Sequence, residues 1–151
     1  MEGWQGWDDY APFYDWENSR TVGRRDIPFW VDLAVRAGGT VLELGCGTGR
    51  VSLPVARRAE RFVGIDRSWA MLGQLRKRFR RTQLGSRVAL VRGDIRALPF
   101  RKRFRFSAVM APYGVLQSLL RDRDLADTLQ AVSRVIARGG SFAIDLVPDL
   151  P

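Results

Sequence analysis

Residues 41–49, Val-Leu-Glu-Leu-Gly-Cys-Gly-Thr-Gly, restrict this chain more than any other stretch. An apolar run that ends in a carboxylate and breaks into alternating glycines reads as a buried strand feeding a tight turn and a helix N-terminus. Gly45, Gly47 and Gly49 remove Cβ atoms where the backbone must turn sharply or approach a ligand. The helix behind them offers free N–H groups, so a nucleotide-like ligand fits there. Against the spacing G-x-G-x-x-G, the third glycine comes one position early and Arg50 stands in its place.

Strands and helices alternate around that turn. Asp26 reads as the cap of a helix with Pro28 in its first turn and Ile27, Trp30, Leu33 and Ala34 on one face, stopped by Gly38 and Gly39. Residues 40–44 form a first strand, and residues 49–58 a helix that buries Val51, Leu53, Val55 and Ala56. Residues 62–66 give a second strand ending in Asp66, whose distance from Gly49 is close to the ~20 residues that place an acid at the ribose in nucleotide-binding βαβ units. Residues 68–81 are a helix with Met71, Leu72, Leu75 and Phe79 inward, and Ser68 is available as its cap. Residues 87–91 and 104–111 are the third and fourth strands. A helix over 122–137, with Leu125, Leu129, Val132 and Ile136 on one face, leads through Gly139 and Gly140 to a fifth strand over 141–147. The alternation predicts an α/β fold, a doubly wound parallel sheet in the order 3-2-1-4-5 flanked by helices.

Glu43-Leu-Gly-Cys-Gly-Thr-Gly resembles the first motif of the class I methyltransferases, the Rossmann-like enzymes that use S-adenosylmethionine, and the resemblance runs over about residues 14–146. It implies that Glu43, Gly45, Cys46, Gly47 and Gly49 border the cofactor, with Asp66 and Arg67 near its ribose and Met71 near its adenosine, although core packing is the simpler account of Met71. It implies that Asp94 bonds the adenine amino group and that Ile95 packs on the ring. It also implies that Ala111 and Gln117 stand at the cofactor end of the fourth strand and that Tyr113 walls the acceptor. The family has an aspartate where this chain has Ser107, at the entry to that strand and away from the cofactor. Residues 1–20, with Trp4, Trp7, Tyr10, Phe13, Tyr14 and Trp16 among Asp8, Asp9, Asp15 and Glu17, form either a lid closing through Tyr14-Asp15 or a flap over apolar surface. Arg25 or Arg24 falls where the family places an arginine near the carboxylate of the methionine moiety.

At 151 residues the chain is one domain by length, with a lid and helix over 1–38 and a core over 39–151. Complete relatives continue for two more strands, which leaves strand five an apolar edge; a missing segment, a partner chain or a dimer contact would cover it. No apolar run reaches the roughly 20 residues of a membrane span and no signal peptide opens the chain, so the expected setting is cytoplasmic. The single cysteine, Cys46, has no partner for a disulfide or a metal site, and its place between glycines suits a small residue.

The net charge of +9, nearly all its cations arginine, is compatible with nucleic acid binding or with a solvated exterior. There is no histidine, so a general base would be a carboxylate, tyrosine, lysine, water or the substrate's own amine, and no catalytic residue is assigned. The expected activity is methyl transfer from S-adenosylmethionine to an N, O or C nucleophile of a small molecule, with S-adenosylhomocysteine as product. Arg76 to Arg81 and Arg101 to Arg105 keep an RNA acceptor open, and the short fold keeps open a cofactor-binding or structural subunit that needs a partner chain. A nicotinamide-dependent oxidoreductase shares the fold but fits the glycine spacing less well.

Overall fold

The computed structural model describes residues 6, 8–11, 13–14, 16 and 25–147, so Trp4, Trp7, Asp15, Glu17 and Arg24 lie outside the described residues. In chain order the elements are α1 (Ile27–Ala37), β1 (Thr40–Leu44), α2 (Ser52–Arg58), β2 (Arg61–Asp66), α3 (Trp69–Arg80), β3 (Val88–Arg92), β4 (Phe106–Ala111), α4 (Asp122–Val135) and β5 (Ile136–Ile144). The strands form one sheet in the order β3-β2-β1-β4-β5, with every neighbouring pair parallel, as the alternation predicts. β1 is central, with Val41 opposite Phe62 on one side and Ala108 on the other.

Side chains alternate across a strand, and both faces of this sheet are covered, which is why Val41, Leu42 and Leu44 of β1 are all fully buried. Val41 faces a cluster with Trp30 and Ala34 of α1, Val55 and Ala56 of α2, and Phe62 and Met110 of the sheet. Leu42 and Leu44 face the opposite cluster, with Ile65, Val109, Leu116 and Val132. α3 closes the side of the sheet through Leu72 and Leu75 against Cys46. Its N-cap is Ser68, whose hydroxyl accepts from Met71 N at 3.1 Å.

Several local expectations are corrected. Asp26 does not cap α1 with its side chain; its backbone is already helical, and its carboxylate is taken by Arg50 and by Trp30 Nε1. α2 begins at Ser52 rather than at residue 49, because Gly49 has φ +95° and cannot be helical. β4 begins at Phe106, since Phe104 N donates to Arg101 O and closes a turn before it. Along α4 the inward stripe is Asp124, Thr128, Ala131, Val132 and Val135, which leaves Leu125 and Leu129 exposed.

That last difference has a physical cause. Asp124 is buried with a partner, accepting from Arg96 Nη1 at 3.0 Å, and Thr128 Oγ1 donates to Asp124 O at 2.8 Å. Hydrophobic periodicity cannot register a polar stripe that is satisfied inside the fold. The helix also stops two residues early. β5 starts at Ile136, and its pairing with β4 jumps from Phe106–Ile136 to Ala108–Ser141, so residues 137–140 bulge and regular pairing begins where the fifth strand is expected. It ends at Ile144 rather than at residue 147.

Trp30 is fully buried in the cluster beneath β1 and donates to Asp26 Oδ2 at 3.2 Å. Trp30→Ala is expected to cost about 3–5 kcal/mol of stability, read as a lowered urea midpoint with an unchanged slope.

Candidate functional site

The loop after β1 must pass close to α3. A Cβ on Gly49, whose φ is +95°, would overlap the Leu75 side chain, so the turn has its shape only with glycine there. Cys46 N donates to Ile65 O at 3.1 Å, and a Cβ on Gly64 would lie 2.9 Å from Cys46 Sγ, so the crossing has room for a small side chain only. Burial raises the Cys46 thiol well above its usual range, which leaves it an inert packing group.

At the carboxyl ends of the strands this loop borders a cavity of about 680 Å³. Open α/β sheets hold ligands at that end, and the volume suits a small molecule. Asp66, the last residue of β2, accepts from Gly47 N and Ser68 N, each at 2.8 Å. Burial raises its pKa, those backbone donors oppose the shift, and Asp8 adds to it. Two backbone donors leave further lone pairs on the Asp66 carboxylate for hydroxyl groups in the cavity.

Asp94, after β3, accepts from the N–H of Arg96 at 2.9 Å and pairs with the guanidinium groups of Arg96 at 2.8 Å and Arg67 at 3.2 Å. Burial alone would raise its pKa, but the hydrogen bonds and charge of Arg96, with Arg67, hold it below the usual carboxylate range. Arg96 also reaches Asp124, so it ties the turn Ile95–Ala97 to the start of α4.

Arg50 occupies the cavity wall. It donates to both oxygens of Asp26 at 2.7 Å, and its guanidinium carbon lies 5.4 Å from the centroid of the Tyr113 ring. The hydrogen bond from Arg50 holds the Asp26 carboxyl below its usual range. Tyr113 has φ +59°, the only positive φ at a non-glycine among the described residues. Strain of that kind concentrates at ligand-facing positions.

Glu43 lies at the cavity floor, 2% exposed, and accepts from Ser52 Oγ at 2.6 Å. Burial pushes its pKa up to about 8, against the opposing effects of Ser52 and Arg50. Above the glycine loop, Tyr14 stands beside Gly47, Tyr10 meets Tyr14 edge-on with centroids 6.1 Å apart, and Asp8 accepts from the Ser68 hydroxyl. Of the described N-terminal residues, Gly6, Asp8, Asp9 and Tyr14 line the cavity.

Of the residues singled out by sequence, Tyr14, Glu43, Gly45, Cys46, Gly47, Gly49, Asp66, Arg67, Met71, Asp94, Ile95 and Tyr113 come together around this cavity. Met71 is both core and lining. Three stand apart from the lining. Arg25 is exposed, and Ala111 is fully buried in the core against α4. Gln117 faces Val147, to which its amide both donates, at 3.0 Å, and accepts, at 2.8 Å. Sequence reasoning did not assign Arg50, Arg96 or Asp8. Arg50 was visible only as the departure from the glycine spacing, and Asp124, which Arg96 bonds, and Ser68, which bonds Asp8, are distant from them in sequence.

Comparison with known proteins gives the chain relatives. Residues 41–140 match the family model described as a methyltransferase domain. A 2-phytyl-1,4-naphtoquinone methyltransferase of Nostoc punctiforme is 33% identical over 143 residues, which cover 89% of this chain and 59% of that protein. The CcbJ methyltransferase from Streptomyces caelestis superposes with a TM-score of 0.73 at 29% identity, over 79% of this chain and 51% of that one. The glycopeptide N-methyltransferase MtfA, solved in complex with S-adenosyl-L-methionine, gives 0.69 at 27% identity, over 78% of this chain and 48% of that one. The chain thus spans roughly half the length of these relatives.

The raised Glu43 pKa makes a pH test of the cavity floor. Unfolded, the carboxyl ionises near 4.5; folded, it keeps its proton to about 8. The folded state therefore binds the extra proton between these values, and this contribution to stability falls as pH rises through the window. Glu43→Gln mimics the protonated form, so its stability relative to wild type should rise between pH 5 and pH 8 in urea melts and stay level below pH 4.5.

Proposed function

This chain belongs to the class I methyltransferase family, and on that premise we propose that its cleft binds S-adenosylmethionine and passes the methyl group to an N, O or C nucleophile of a small molecule. The observation that carries the reading is the Asp66 carboxylate at the end of β2, fixed by Gly47 N and Ser68 N and facing the cavity beside the glycine loop. There it accepts from the two ribose hydroxyls. Asp94 and Ile95 flank the adenine, Met71 packs along the adenosine, and Glu43, Gly45, Cys46, Gly47 and Gly49 border the methionine moiety. Arg67 stands at the outer edge of the ribose site, paired with Asp94.

Arg25, Ala111 and Gln117 are not carried into this assignment. Arg50 and Tyr14 occupy the end of the cavity expected of the methionine moiety, and the Tyr113 ring, stacked on Arg50, is the wall towards the acceptor.

The chemistry is an in-line displacement. The nucleophile attacks the methyl carbon as the carbon–sulfur bond breaks, the electron pair stays on sulfur, and S-adenosylhomocysteine leaves. The chain contributes by holding the two centres in line and by excluding water, which can account for much of such a rate. A small-molecule acceptor is supported by the size of the cavity and by the activities in the relatives' names, one of which is a naphthoquinone methyltransferase. The basic stretch Arg101 to Arg105, which suggests RNA, lies before β4 at the ends of the strands opposite the cavity, which favours the small molecule. The exposed Ile144 and Leu146 at the β5 end fit a further segment of the chain, a partner or a second copy covering that edge. The single-domain division at residue 38 and the cytoplasmic setting belong to the same proposal.

Calorimetric titration with S-adenosylhomocysteine tests it. Wild type should bind, and Asp66→Ala should bind roughly tenfold or more weakly, since hydrogen bonds to a charged group contribute about 1.5–3 kcal/mol each. Asp66→Asn, which keeps the shape of the side chain, should fall between them. Binding that is equal in all three chains would remove the ribose assignment.

A further inference from the structure

The net charge of the chain has a location. Helices that connect parallel strands run back against them, so the C-termini of α1 to α4 and the starts of the strands share the edge of the sheet opposite the cleft. Arg36, Arg57, Arg58, Arg80 and Arg134 stand exposed in the last turns of the four helices. Favourable interaction with the helix dipoles accounts for cations at those positions. It extends to Arg87, exposed before β3, which donates to Ala59 O and Glu60 O at the end of α2, but it does not account for Arg61 opening β2 or Arg105 immediately before β4, both exposed. Nor does it account for the turn Arg101-Lys102-Arg103-Phe104, which lies beside the start of β4 and is exposed throughout.

The acidic residues do not match this distribution. Among the described residues, the carboxylates nearest that edge are Glu60 and Asp32, and Asp32 is already paired with Arg36 at 2.6 Å. The bulge of β5 adds Arg138, and a second cavity of about 400 Å³ opens between Arg36, Ser107 and Gly139 in the middle of the same edge.

We propose that this edge is a docking surface for the phosphate backbone of a single-stranded nucleic acid, held away from the cleft. Five strands at ~4.8 Å spacing make it about 19 Å wide, enough to contact several phosphates in a row. Its cations are almost all arginine, whose fork matches phosphate oxygens in pairs. Phe104 stands half-exposed within the basic turn with Arg103 over its ring at 5.7 Å, which gives a base a face to stack on. An anionic lipid surface fits less well. Docked there, the bilayer would face away from the cleft, and the edge carries too few exposed apolar side chains to insert. The nucleic acid is a tether or a scaffold in this arrangement and not the methyl acceptor, because its contacts lie at the opposite ends of the strands from the cavity.

The test is fluorescence anisotropy with a labelled 20-nucleotide oligouridine, titrated with the whole chain at several salt concentrations. Two double variants remove the same charge: Arg101→Ser with Arg103→Ser on the proposed surface, and Arg76→Ser with Arg123→Ser elsewhere. The expected result is binding with a slope of log K against log salt of about −3 or steeper, given about −0.7 per phosphate on single strands. The first pair should weaken binding roughly tenfold and flatten the slope by about 1.4, and the second pair should change affinity less than about twofold. Phe104→Ala should weaken binding without changing the slope. Equal losses from the two pairs would mean attraction by net charge alone and would overturn the proposal. Binding of phosphatidylglycerol vesicles in the absence of oligouridine binding would overturn it in favour of a membrane. S-adenosylhomocysteine titration of the Arg101/Arg103 variant should match wild type, which separates a failure here from a failure of the cofactor assignment.

Discussion

The Asp66 carboxylate accepts from Gly47 N and Ser68 N, and those two bonds hold the loop after β1 and the start of α3 against the end of β2. Everything that makes the cleft a cleft follows from that junction. The glycine loop passes so close to Leu75 that Gly49 has no room for a side chain, and Ser68, which donates its N–H to Asp66, also caps α3 through Met71 N. Asp8 reaches the same Ser68, so the N-terminal segment is latched to the junction. One half-buried carboxylate at a strand end thus ties two loops together, with Asp8 beside them, and retains acceptor capacity towards the cavity.

The remaining wall is assembled by arginines that link segments far apart in the chain. Arg50 joins Asp26, ahead of α1, to Tyr113, after β4. Arg96 joins Asp94 to Asp124 at the start of α4. Each guanidinium is partly buried and bonded to carboxylate, an arrangement in which the charges are worth more than at an open surface because water does not compete fully. The backbone strain at Tyr113 fits this picture. Its positive φ is kept by Arg50 over the ring on one side and by Gly114 N bonded to Asp145 Oδ1 at 2.8 Å on the other.

The sheet order and β1 were legible in the sequence because they depend on local signals: apolar runs, glycine turns and carboxylates at strand ends. Twelve of the fifteen residues picked for the site line one cavity for the same reason, since the motif that names them also fixes their place in the fold. The misses are non-local. Gln117 has a polar side chain at the right end of the sheet, but Val147 claims it. α4 buries Asp124 and Thr128 where periodicity favours Leu125 and Leu129, because Arg96, twenty-eight residues upstream of Asp124, satisfies the buried carboxylate. Arg25 is adjacent to the first helix and yet exposed, while Arg50, at the end of the glycine loop, lines the cavity and bonds Asp26.

Hydrogen–deuterium exchange of the whole chain, with and without S-adenosylhomocysteine, tests the central claim that this cleft is a cofactor site built on the Asp66 junction. The account predicts slowed exchange in the ligand's presence over residues 45–50, 66–71 and 94–97, with the described lid around Tyr14 protected as well. Protection confined to β5 and the far edge of the sheet, with those segments unchanged, would contradict it.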